Sequence, residues 1–120
     1  MDGLMRTFLF SFAAMVLPLA IVAQEPADRP VARTDSNSLI AHSQLLEKAK
    51  KGRIDIYFEG DSITRRWGAT DYPELLANWN RNFIGWNASD FGWGADKTQN
   101  ILWRLSNGEL DGVNPKIGFR

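Results

Sequence analysis

A chain of 120 residues with no cysteine and a formal net charge of zero has room for one modest domain. It offers no disulfide framework, no thiolate metal site and no electrostatic case for nucleic acid. A partner has to be selected by shape and local polarity.

Arg6 precedes an apolar run from Phe8 to Ala23, interrupted by Ser11 and bent by Pro18, and polarity returns at Gln24-Glu25-Pro26. That is the layout of a secretory signal. The run falls short of the about 20 residues that cross a bilayer comfortably, so residues 1–23 are expected to be a cleaved leader, cut after Ala23, with no lasting membrane span. The product is expected to be secreted or periplasmic. Residues 24–36 mix Pro26, Pro30, charges and small side chains without an apolar period, which predicts a solvated linker.

From there a domain is expected over 37–120. Leu39, Ile40, Leu45, Leu46 and Ala49 recur at helical spacing, with Lys48, Lys50 and Lys51 at the C-terminal end and Gly52 as the stop, so a helix is predicted over 38–51. Residues 54–58 (IDIYF) are short and β-rich and predict a strand ending at Glu59-Gly60. Asp71 and Glu74 fit a capping box, with Pro73 in the first turn and Leu75, Leu76 and Trp79 as the apolar stripe of a helix over 72–80. Residues 82–87 predict a second strand, weakened by Gly85. Asp96, with Gln99 in the reciprocal position, is expected to cap a helix ended by Gly108, and a further strand is expected from Ile117. Strand, helix, strand, helix, strand is the alternation of a parallel sheet wound by crossover helices.

In such a sheet the reactive positions are the loops at the carboxyl ends of the strands. Gly60-Asp61-Ser62-Ile63 and Gly92-Trp93-Gly94-Ala95-Asp96 both fall there. Gly60 permits a sharp exit from the strand, so Ser62 Oγ can stand at the start of a helical turn, where N–H groups favour developing negative charge. The second loop can bring the backbone N–H of Ala95 to the same point, the beginning of an oxyanion hole.

These two stretches, "FEGDSITRRWG" and "DFGWGADKTQNILWRLSNGELDGVNPK", resemble the GDSL or SGNH hydrolase family over residues 38–117. The likeness is greatest to the secreted bacterial esterase branch related to platelet-activating factor acetylhydrolase catalytic subunits. The resemblance implies a three-layer α/β/α fold with a parallel, flavodoxin-like sheet. It makes Ser62 the nucleophile, its own N–H and that of Ala95 the oxyanion donors, and Gly60, Asp61, Gly94 and Asp96 the supporting residues. Ala95 stands where the family usually has glycine and needs a backbone conformation that tolerates a Cβ. The family's Gly-x-Asn and Asp-x-x-His blocks do not occur in these 120 residues, so the chain is expected to be the N-terminal part of a longer esterase and a very poor catalyst as it stands.

Asp61 is read equally as a hydrogen-bond acceptor or a helix-start residue. His42, upstream of the strand, is read as a surface or packing residue. An Asp90 or Asp96 partner for Ser62 is chemically weak, because an unshifted carboxylate is a poor base toward a hydroxyl. Trp67, Trp86 and Trp103 are read as core, and Trp93, between two glycines, as a wall of the substrate site. The Asn87-Ala88-Ser89 sequon is read as chance. The resemblance implies ester hydrolysis through an acyl-enzyme on small acyl esters, acetylated carbohydrates among them, without metal or organic cofactor. The rival reading is a secreted non-catalytic carbohydrate-binding or interaction module.

Overall fold

The computed structural model describes Ser11, residues 13–21 and residues 23–119. Residues 1–10, 12 and 22 of the expected leader lie outside the described residues, among which no helix is long and apolar enough to cross a membrane.

Helix α1 (Ser36–Lys50) starts two residues before the expected point because Asp35 caps it, its carboxylate accepting the Ser38 N–H at 3.0 Å and the Ser38 hydroxyl at 2.9 Å. Gly52, at φ +68°, turns the chain away from it. Strand β1 (Ile56–Phe58) is followed by a single-turn helix α2 (Ser62–Arg65), a 3₁₀ turn over Arg66–Gly68, and α3 (Pro73–Asn82). Then come β2 (Ala88–Asp90), α4 (Thr98–Arg104) and β3 (Ile117–Phe119).

The three strands form one parallel sheet in the order β2-β1-β3, with Ile56 opposite Ala88 and Ile117, and Phe58 opposite Asp90 and Phe119. This is an α/β arrangement of helices around a small parallel sheet, as the alternation of elements implies. Neighbouring residues of β1 serve opposite faces. Tyr57 stacks on Phe91 (centroids 4.2 Å apart) in a core with Leu45 and Ala49 of α1, Ile54 and Val113. Phe58 meets Trp79 and Phe83 edge-on at 5.3 and 5.2 Å.

Four local expectations change. Residues 82–87 are not a strand: Trp79 and Phe83 are held by Phe58, so α3 continues to Asn82 and runs into a 3₁₀ turn over Ile84–Trp86. Asn87 then takes a left-handed conformation (φ 50°) and β2 begins only at Ala88, leaving Trp86 67% exposed rather than in the core. The Asp71–Glu74 capping box does not form; Tyr72 precedes α3 with no side-chain cap. Asp96 does not cap α4 either. Lys97 does so by position, its N–H bonded to Asn100 Oδ1 at 2.9 Å, while Gln99 turns away to the Glu25 carbonyl at 2.8 Å. Finally, the stretch expected to be a free linker lies along the start of α4: Val31 N–H donates to the Gln99 carbonyl at 3.0 Å and Asn100 Nδ2 to the Val31 carbonyl at 3.0 Å.

Candidate active site

The pairing of β1 with β2 continues past both strand ends. Phe91 N–H donates to the Phe58 carbonyl at 2.8 Å and Trp93 N–H to the Gly60 carbonyl at 3.0 Å, so the two exit loops leave the sheet side by side. Their approach is close enough to require glycine. A Cβ on Gly92 would lie 2.5 Å from Arg65 N and 2.9 Å from the Asp61 carbonyl oxygen, and within the first loop itself one on Gly60 would lie 2.2 Å from Thr64 Oγ1. Gly94 comes next to the serine: a Cβ there would be 3.9 Å from Ser62 Cβ.

Ser62 is the first residue of α2 and half-buried, not entombed. Asp61 precedes it as the N-cap, its Oδ1 accepting the Ile63 N–H at 2.8 Å, so of its two sequence readings the helix-start role is occupied. Ala95 is exposed and holds φ +63°, the left-handed region that costs a residue with a Cβ about 1–2 kcal/mol. Neither the Ser62 nor the Ala95 N–H has a hydrogen-bond partner among the described residues. Trp93 is half-buried, its indole N–H donating to Ser38 Oγ at 3.2 Å and its ring lying 5.6 Å from the Arg65 guanidinium. It walls a cavity of about 290 Å³ shared with Gln44, Lys48, Arg65 and Asp90. On the other side of α2 an apolar cavity of about 310 Å³ is lined by Phe58, Ile63, Trp67, Trp79 and Phe83.

Beneath the loops lies a buried ionic cluster that the sequence reading did not anticipate. Arg104, 5% exposed, donates Nη2 to Glu59 Oε1 at 2.7 Å, Nε to Asp96 Oδ2 at 2.7 Å, and Nη1 to the Phe91 carbonyl at 3.0 Å and to Glu109. Arg33 Nη1 reaches the other Asp96 oxygen at 3.1 Å and the Gly94 carbonyl at 2.5 Å. His42 Nδ1 is 2.7 Å from Glu109 Oε1, and its ring leans on Trp103 at 5.0 Å. His42 therefore packs against Trp103, as expected, but it is also tied to the buried Glu109, which the expectation did not include. Asp96 has both oxygens committed to guanidinium groups and is not available as a base.

Arg104, Arg33 and His42 thus face three buried carboxylates, and burial disfavours the charged form of such groups. Burial pushes Glu59 up to about 7 despite Arg104 and the Gly60 N–H, and it raises Glu109 as well. Burial also works against the charge on Arg104, but Glu59, Glu109 and Asp96 outweigh it and raise the guanidinium above its ordinary value. Asp90, whose Oδ1 accepts the Gly92 N–H at 2.8 Å, is likewise raised by burial, and its Oδ2 is buried without a partner among the described residues. No group of three or more metal-ligating side chains occurs among the described residues.

The run around Arg104 could have been recognised in the sequence only through its oddity: an arginine inside an apolar helix, five residues before Glu109, with Glu59 closing a strand of apolar neighbours.

No protein-family model matches the chain. Over 98 residues, 78% of this chain, it is 31% identical to platelet-activating factor acetylhydrolase IB subunit alpha1 of Rattus norvegicus and to that of Homo sapiens. Over 83 residues, 69% of this chain, it is 31% identical to the alpha2 subunit of Bos taurus. The chain is related to these acetylhydrolase subunits. It spans 40% of the length of the alpha1 subunits and 34% of the alpha2 subunit. These relatives are named acetylhydrolases, and the likeness is consistent with a GDSL/SGNH-type relationship.

Proposed function

We propose that the chain is the nucleophile-bearing part of a secreted or periplasmic serine ester hydrolase of the SGNH type, built on a three-layer α/β/α fold. Ser62 Oγ attacks the carbonyl carbon of a small acyl ester, acetylated carbohydrates among the candidates. The Ser62 and Ala95 N–H groups receive the oxyanion, the alcohol leaves, and water releases the acyl group from Ser62. Gly60 and Asp61 set the turn that presents the serine, Gly94 and Asp96 hold the facing loop, and Trp93, next to Gly94, is the wall of the substrate site. The serine needs a base to take its proton. His42 and Asp96 are both engaged elsewhere and Asp90 Oδ1 is held by the Gly92 N–H, so in this reading the base, and a side-chain oxyanion donor, come from residues outside these 120. Neither a metal nor an organic cofactor enters the scheme.

The observation that carries the reading is the meeting of two strand-end loops, Gly94 against Ser62, with the Ser62 and Ala95 amides both without a hydrogen-bond partner among the described residues. The test uses the full-length product of the reading frame that encodes these residues. It should hydrolyse p-nitrophenyl acetate and be labelled by a fluorophosphonate, and Ser62→Ala should abolish both. Binding of glycans with no labelling at Ser62 would favour the non-catalytic module instead.

A further inference from the structure

We infer that Arg33 is a positioning residue that aims the Ala95 N–H, an inference that rests on the ester-hydrolase reading of that amide. Arg33 lies outside the strand-end loops, in the stretch before α1, and its side chain is 25% exposed. Its Nη1 donates to the Gly94 carbonyl at 2.5 Å and to Asp96 Oδ1 at 3.1 Å, while Nε holds Asp35 Oδ2 at 3.1 Å.

The Gly94 carbonyl and the Ala95 N–H belong to one peptide group. That group is planar and trans, with its C=O and N–H pointing in opposite directions. A donor that pins the carbonyl therefore pins the amide hydrogen, turning it away from Arg33. The pin is needed because Ala95 occupies a left-handed conformation (φ +63°) that a residue with a Cβ leaves unless its surroundings over-determine it. Those surroundings are visible on both sides. Arg33 grips the peptide before Ala95, and Asp96, immediately after it, is clamped between Arg33 and Arg104. Arg33 is in turn steadied by Asp35, the residue that caps α1, so the helix start and the amide are set by the same side chain.

The guanidinium fork suits this task. It reaches two acceptors from one nitrogen and a third from Nε while staying planar. A lysine ammonium, as a single point on a flexible stem, would keep the charge and lose the simultaneous grip.

The experiment measures backbone ¹⁵N order parameters in the full-length protein and in its Arg33→Met and Arg33→Lys variants, alongside steady-state hydrolysis of p-nitrophenyl acetate. In the parent protein Ala95 should be rigid, with an order parameter of about 0.85, falling below about 0.6 in Arg33→Met and lying between in Arg33→Lys. The amides of α3, remote from the clamp, should not change. Misalignment of an oxyanion donor should lower kcat by about a hundredfold in Arg33→Met with KM unchanged, and Arg33→Lys should recover part of it. If Arg33→Met does not fold, Arg33→Lys carries the comparison. A folded variant in which Ala95 keeps its order parameter overturns the inference, whatever the activity. Loosening of Ala95 in a protein that hydrolyses no ester would sink the esterase reading and leave the clamp standing.

Discussion

Glu59 Oε1 accepts two hydrogen bonds at once, from Arg104 Nη2 at 2.7 Å and from the N–H of Gly60 at 3.0 Å. The carboxylate that ends β1 thus joins the buried guanidinium to the turn that presents Ser62. Through its other donors the same arginine holds the Phe91 carbonyl and Asp96 in the facing loop. Both exits from the sheet are tied to one charge.

Removing that charge should be severe. Arg104→Met keeps much of the side-chain volume but leaves Glu59, Asp96 and Glu109 buried without their shared partner, a situation that costs about 3–5 kcal/mol. Urea unfolding should show a loss of that size. A loss under about 1 kcal/mol, the range of exposed ion pairs, would mean that the cluster contributes little.

The pH dependence follows from burial of the same group. The folded-state value of Glu59 is raised to about 7 from an ordinary carboxylate value of 4.5. A raised value means that the folded state holds its proton more tightly than the unfolded state does. The associated stability is fully present below the unfolded value and is lost as pH climbs through the folded one. Glu109 shifts in the same direction. Unfolding free energy should therefore fall between about pH 4.5 and pH 7, and Glu59→Gln should flatten part of that slope. Equal slopes in parent and variant would remove Glu59 as the titrating group.

The glycine contacts predict an asymmetry. Alanine at Gly92 meets a backbone atom, Arg65 N, at 2.5 Å, whereas alanine at Gly60 meets the Thr64 side chain, with Oγ1 at 2.2 Å and Cβ at 3.0 Å. Gly92→Ala should cost about 1–3 kcal/mol by forcing α2 away from the loop. Gly60→Ala should be partly rescued by Thr64→Ala, and Gly92→Ala much less so, since its worst contact is backbone. A double-mutant cycle read by thermal melting checks this.

How much of this was legible in the sequence depended on the range of the forces involved. β1 and the α1 pattern could be read because strand propensity and helical spacing are local, and the two chemical loops because strand ends in parallel sheets are where loops converge. Residues 82–87 misled because Phe83 and Trp86 look like strand residues; what holds Phe83 against Phe58 is contact across 25 positions of sequence, which propensity does not encode. Asp96 misled for a similar reason. Beside an apolar helix it reads as a cap, but its true partners are Arg33 and Arg104, one from a stretch that composition marks as free. Charged clusters assembled from separated segments leave no periodic trace.

Ala95 gives a prediction of opposite sign. Its left-handed backbone (φ +63°) suits glycine, as the resemblance to the hydrolase family leads one to expect. Ala95→Gly relieves about 1–2 kcal/mol of steric cost and adds up to about 1 kcal/mol of unfolded-chain entropy, for a net stabilisation of about 0.5–1 kcal/mol. Thermal melting of the variant should show a higher midpoint. A lower one would mean that the left-handed geometry at this position is not the conformation in solution.

In the proposed enzyme the hydroxyl at 62 and the amide at 95 address one point in space. The most direct measurement is a crystal structure of the full-length protein after reaction with an alkyl fluorophosphonate. Phosphorus should be bonded to Ser62 Oγ, with the phosphonyl oxygen about 2.7–3.1 Å from both the Ser62 and Ala95 nitrogens. An adduct on another residue, or a Ser62 adduct whose oxygen points away from Ala95, would contradict it.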